Sequence, residues 1–105
     1  MTDTTDTSYN GWKNYETWAM ALWIDNERSD YEWSREYAND VRKMEEEDLN
    51  GRTRAGVLAD ALTEYMVMMA PLLEEASVWS DLLHAAISEI DWYEIAENYL
   101  SEVDE

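Results

Sequence analysis

A chain of 105 residues with 46% hydrophobic content, no cysteine and a formal net charge of −18 has the size of one domain and the material for a core. That apolar content excludes a disordered acidic tail, and the missing cysteine excludes a disulfide framework or a thiolate metal site. No apolar run approaches the roughly 18 residues a membrane span needs, and the acidity disfavours direct binding to nucleic acid or anionic lipid.

Three glycines and one proline leave little for the turns of a β fold. The composition predicts an all-α fold, a compact single-domain bundle of four to six short helices. Residues 1–9 read as a disordered, acidic N-terminal segment without a leader pattern, 10–101 as the helical domain and 102–105 as an acidic end. The expectation is a cytoplasmic protein.

The first helix is expected from near Asn14 to about Glu27, with Tyr15, Trp18, Ala19, Leu22 and Trp23 as its apolar stripe. Ser29 and Glu32 fit a capping box opening a second helix, whose Trp33, Tyr37, Val41 and Met44 share a face. That helix is expected to close with Glu45-Glu46-Glu47-Asp48, and Asn50-Gly51 is its stop. Thr53 can cap a third helix carrying Leu58, Leu62, Tyr65, Met66 and Met69, which Pro71 ends or kinks. Residues 72–79 are either a short helix or a packed connection. A helix from about Ser80 is expected to bury Leu82, Leu83, Ala86, Ile87 and Ile90. Asp91 and Glu94 form a second capping-box pattern, with Trp92, Ile95, Ala96, Tyr99 and Leu100 pointing inward from the last helix.

Two segments carry a resemblance. Asn10-Gly-Trp-Lys-Asn-Tyr-Glu-Thr-Trp18, continuing to Asn26, and Asp81-Leu-Leu-His-Ala-Ala-Ile-Ser-Glu-Ile-Asp-Trp-Tyr-Glu-Ile-Ala96 resemble a family of small proteins encoded by phages, plasmids and related mobile elements. The resemblance runs from Asn10 to about Leu100. It implies a mobile-element setting, in which small acidic proteins often block host defence nucleases, and it carries over no catalytic residue.

The aromatic cluster of Trp12, Tyr15, Trp18 and Trp23 has Lys13 as its only nearby cation, and a base-stacking platform needs a basic groove. These rings are therefore expected to pack the bundle, with Trp12, ahead of the helix, the one expected to be partly exposed. His84, the single histidine, lies three residues after Asp81 but has no nucleophile in an elbow context, so no enzyme activity is expected. Residues 25–30 offer oxygens without the glycine of a calcium loop. No cofactor and no dedicated metal are expected.

The charge is split unevenly. All seven lysines and arginines and thirteen acids lie in the first 54 residues, whereas Ala55 to Glu105 has twelve acids and no base, giving −6 and −12. Such imbalance costs stability through self-repulsion and calls for a basic partner or a salty solvent. Duplex DNA carries about one charge per 1.7 Å, so a stretch about 33 Å long holds on the order of twenty charges, comparable with this chain. Carboxylates at Glu45, Glu46, Glu47, Asp48, Asp60, Glu64, Glu74 and Glu75 are the candidate phosphate surrogates. Met66, Met68 and Met69 offer an adaptable apolar contact, with at least two of them expected in the core. The expected partner is a host DNA- or RNA-binding defence protein with a basic cleft, a CRISPR effector or a restriction enzyme. The alternatives are an acidic module of the element's own replication or packaging, and acidity that partly serves life in high salt. Two lysines against five arginines fit the salt reading, while the many large aromatics do not. Monomer and dimer are both compatible with the sequence.

Overall fold

Helix α1 (Tyr15–Asn26) starts where Asn14, in extended backbone, turns its side chain back to accept the Thr17 amide at 2.9 Å. In the computed structural model, which describes residues 11–70 and 77–103, four more helices follow: α2 (Arg28–Arg42), α3 (Arg54–Met68), α4 (Val78–Glu89) and α5 (Trp92–Glu102). A 3-10 turn, Glu46–Leu49, sits between α2 and α3. Among the described residues there is no strand. The fold is all-helical, as the composition predicts.

Glu27 alone joins α1 to α2, serving as the C-cap of one and the N-cap of the other. The Ser29–Glu32 capping box therefore does not form. Ser29 already lies inside α2, whose start has no side-chain cap and gains instead an exposed Arg28–Glu32 pair one turn apart. Helix α2 also ends earlier than its acidic tail suggests. Arg54 reaches over from α3 and donates to the carbonyls of Val41, at 3.2 Å, and Met44, at 2.5 Å, so these oxygens are satisfied without further helix. Asn50 and Gly51 then take consecutive left-handed conformations, φ 56° and 81°, which turn the chain into α3. Thr53 caps α3, accepting from the Gly56 amide at 2.9 Å.

The core is built mainly where α3 and α5 pack against each other, with α2 across them. Ile24, Val41, Leu58, Leu62, Ile95 and Tyr99 are buried at its centre. An aromatic layer covers one side: Trp33 stacks on Tyr65 with centroids 4.0 Å apart and planes 7° from parallel, and Tyr37 lies 5.1 Å from Trp33. The Ser34 hydroxyl is buried with no hydrogen-bond partner among the described residues.

Three expectations about facing are corrected. Helix α1 buries Thr17, Ala21 and Ile24, while Tyr15, Leu22 and Trp23 of the expected inward stripe are exposed. It is apolar around most of its circumference, so spacing alone did not select a face. Trp12 is partly exposed, as expected, and half-buried against the core, while Trp23 is the most exposed ring of that cluster at 65%. Helix α4 begins at Val78, capped by Ser77, and buries only Ser80; Leu82 is 57% exposed and Leu83, Ala86, Ile87 and Ile90 are half-buried. It leans mainly on α1, so one neighbour cannot cover a stripe that wide. Of the three methionines, Met66 alone packs on the core, while Met68 and Met69 at the end of α3 are exposed. Pro71 and residues 72–76 lie outside the described residues, as does the expected lead-in, residues 1–9.

Candidate partner-binding surface

The four acids Glu45–Asp48 do not ride on a helix. They form a one-turn projection after α2, with Asp48 donating its amide to the Glu45 carbonyl at 3.0 Å and all four side chains exposed. Two arginines at the start of α3 reach into the candidate set. Arg54 pairs with Glu46 at 3.6 Å, and Arg52 is hydrogen-bonded to Asp60. Glu46 and Asp60 are thereby partly neutralised. Among the described residues Glu45, Glu47, Asp48 and Glu64 make no ion pair, so these four hold the undiluted charge of the set. Glu64 lies one turn beyond Asp60, at the rim of a shallow hollow with Trp33, Tyr37 and Met68. Glu74 and Glu75 fall outside the described residues.

Beyond α3 the sequence supplies no lysine or arginine of its own, and among the described residues Lys13 and Arg35 reach the carboxylates there from the first half of the chain, Lys13 lying 3.9 Å from Asp91. Asp81, Glu89 and Glu97 are exposed on α4 and α5, and Arg35 crosses from α2 to pair with Glu102 at 2.7 Å. Two further carboxylates hold phenols: Tyr65 donates to Asp30 at 3.0 Å, and Tyr99 donates to Asp25. Burial first, and then the partner carboxylate, pushes both phenols above the ordinary tyrosine range.

A polar clasp, not foreseen from spacing, ties the start of α1 to the α4–α5 junction. The buried Thr17 hydroxyl donates to Asn14 Oδ1 at 2.6 Å and accepts the Asp91 amide at 2.8 Å. Asn14 Nδ2 donates to the Glu89 carbonyl at 2.8 Å. Asp91 caps α5 as predicted, accepting from the Glu94 amide at 3.1 Å. The Glu94 carboxylate does not return that bond; it accepts the Lys13 amide at 3.1 Å. The clasp joins the two segments whose motifs stand out in the sequence, and Asn14 with Thr17 one turn later was its only legible signal.

The second unforeseen feature is an apolar groove of about 300 Å³ between α1 and α4, floored by Met66 and walled by Tyr15, Met20, Trp23, Leu83 and Ile87. Among the described residues Glu16 is its only charged lining residue.

Residues 5–105 match the model of a family of unknown function, DUF7249. The chain belongs to that family. No curated protein and no solved structure matches it. His84 is exposed on α4. Among the described residues no group of three or more His, Asp or Glu is placed to hold a metal ion, and no helix is long and apolar enough to cross a membrane.

Proposed function

We propose that this protein is an acidic inhibitor, of the DNA-mimic kind, carried by a mobile genetic element. It occupies the basic nucleic-acid cleft of a host defence protein, a CRISPR effector or restriction enzyme, in the host cytoplasm. The supporting observation is the placement of charge. Among the described residues Lys13, Arg28, Arg35, Arg52 and Arg54 are engaged in ion pairs, while Glu45, Glu47, Asp48, Glu64, Asp81, Glu89 and Glu97 stand exposed, with no base in the sequence after Arg54. The molecule measures 42 × 38 × 29 Å. A duplex of its longest dimension carries about 25 phosphate charges at one per 1.7 Å, of the same order as this chain. A cleft lined by Lys and Arg would meet it through electrostatic steering, fast at low salt and weaker as salt rises.

The exposed apolar surface of α4 favours a second reading, a non-inhibitory module of the element's own replication or packaging. A tagged pull-down from host lysate, followed by challenge with duplex DNA, separates the two. Recovery of a nuclease or CRISPR subunit that DNA displaces, and that a Glu45, Glu47, Asp48, Glu64 to lysine variant fails to capture, supports inhibition. Recovery of replication or packaging proteins indifferent to DNA supports the module. A protein that captures nothing and folds only in molar salt overturns both, leaving the acidity as solvent adaptation.

A further inference from the structure

The α1–α4 groove calls for an occupant of its own. Trp23 and Trp79 are each 65% exposed, and Leu82 and Val78 are open as well. On α4, Trp79, Leu82, Leu83, Ala86 and Ile87, continued by Ile90 at its C-cap, recur at three and four residues, a stripe that runs unbroken into the groove. Eleven residues of rise make that stripe about 16 Å long, three turns of helix. Single exposed apolar residues are ordinary, but a contiguous patch of this kind marks an interaction surface.

Neither helix that walls the groove contains a lysine or arginine. Glu16 lines the groove and Glu89 borders the apolar stripe by helical position, while Asp25 is held by Tyr99 on another face of α1 and Asp81 lies on the far side of α4. An occupant must therefore bring apolar anchors for the floor and positive charge for the edges. We propose that this groove binds an amphipathic helix of a partner protein, about three turns long, whose polar flanks are basic. Helix-in-groove recognition uses anchors at the same three- and four-residue spacing, and Met20 and Met66 supply a lining that reshapes around them. A small molecule fits less well: the volume is at the low end for such pockets, and convergent polar groups are missing. A second copy of this chain is opposed by charge, because like carboxylates would line both sides of the contact.

The test uses the full-length protein and a fluorescein-labelled helical peptide of about fourteen residues. Leucines sit at i, i+3, i+4 and i+7, lysines elsewhere, and there is no tryptophan. Anisotropy is expected to show binding that Trp23→Ser weakens by about thirtyfold, the effect of losing an aromatic anchor, with the circular dichroism spectrum unchanged. Ile87→Ser is expected to act in the same direction. A scrambled peptide of equal charge, and one with glutamates for lysines, are both expected to lose at least about tenfold. Equal binding by the scrambled peptide, or unaltered binding to Trp23→Ser, overturns the proposal. So does a dimer in sedimentation that Trp23→Ser dissolves, which makes a second copy the occupant. So does a gain above about tenfold from Leu72→Ser with Leu73→Ser, which makes the chain's own segment the occupant.

Discussion

Replacing Thr17 by valine isolates the clasp, because valine keeps the shape of the buried side chain and removes only its hydroxyl. Two hydrogen bonds go, the 2.6 Å bond to Asn14 and the 2.8 Å bond from the Asp91 amide. Asn14 Oδ1 keeps a donor, the Thr17 amide, so its loss is small. The Asp91 amide is left with no acceptor in a half-buried site, and such a group costs about 1–3 kcal/mol. Access to water at Asp91 places the expected loss at about 1–2 kcal/mol, or roughly 4–15 °C in Tm. Urea melts of Thr17→Val, Asn14→Ala and the double variant give the coupling. The double variant is expected to lose at least about 0.5 kcal/mol less than the sum of the singles, since both act through one network. Amide exchange at Asp91 should accelerate in Thr17→Val. A loss under about 0.5 kcal/mol together with unchanged exchange at Asp91 would refute the account.

Leu62→Ala is expected to cost about 2–5 kcal/mol, because Leu62 is fully buried, whereas Leu82→Ala should stay within about 0.5 kcal/mol despite its equal apolarity. Chemical denaturation of the pair checks this. Ser34→Ala is expected to raise stability by about 0.5–1 kcal/mol, seen as a higher urea midpoint, since it removes a buried hydroxyl without a partner and improves helix propensity. Tyr65 and Tyr99 titrate above the free phenol, so the stability they contribute is complete below about pH 10 and is lost as pH rises through their folded values. Alkaline melts should show that loss, and Tyr99→Phe should flatten it.

Helix identity was legible because the caps are chemical. Asn14, Thr53 and Asp91 each accept an amide three residues on, a geometry that their side chains dictate. The Ser29 cap failed for a reason outside its own segment. Helix α1 runs to Asn26, and Glu27 is the only residue left for the turn. Facing was harder. Val41, Leu58, Leu62 and Ile95 read correctly as core. In α1 and α4 the apolar residues spread too widely for a period to choose among them, and the choice fell to Thr17, whose hydroxyl draws α1 onto Asp91. The acids of the candidate surface were readable as acids. Which of them Arg52 and Arg54 would neutralise depends on how the Glu46–Leu49 turn folds back on α3, and no spacing rule reports that.

The clasp also bears on synthesis. Thr17 and Asp91 are separated by 74 residues, and α5 supplies Ile95, Ala96, Tyr99 and Leu100 to the core. Helices α1, α2 and α3 leave the ribosome able to pack on one another but short of the α5 residues that close the core. Domains that fold progressively as they emerge are spared that interval. Here the waiting chain is strongly anionic, and repulsion between nascent copies keeps the bare faces apart until closure.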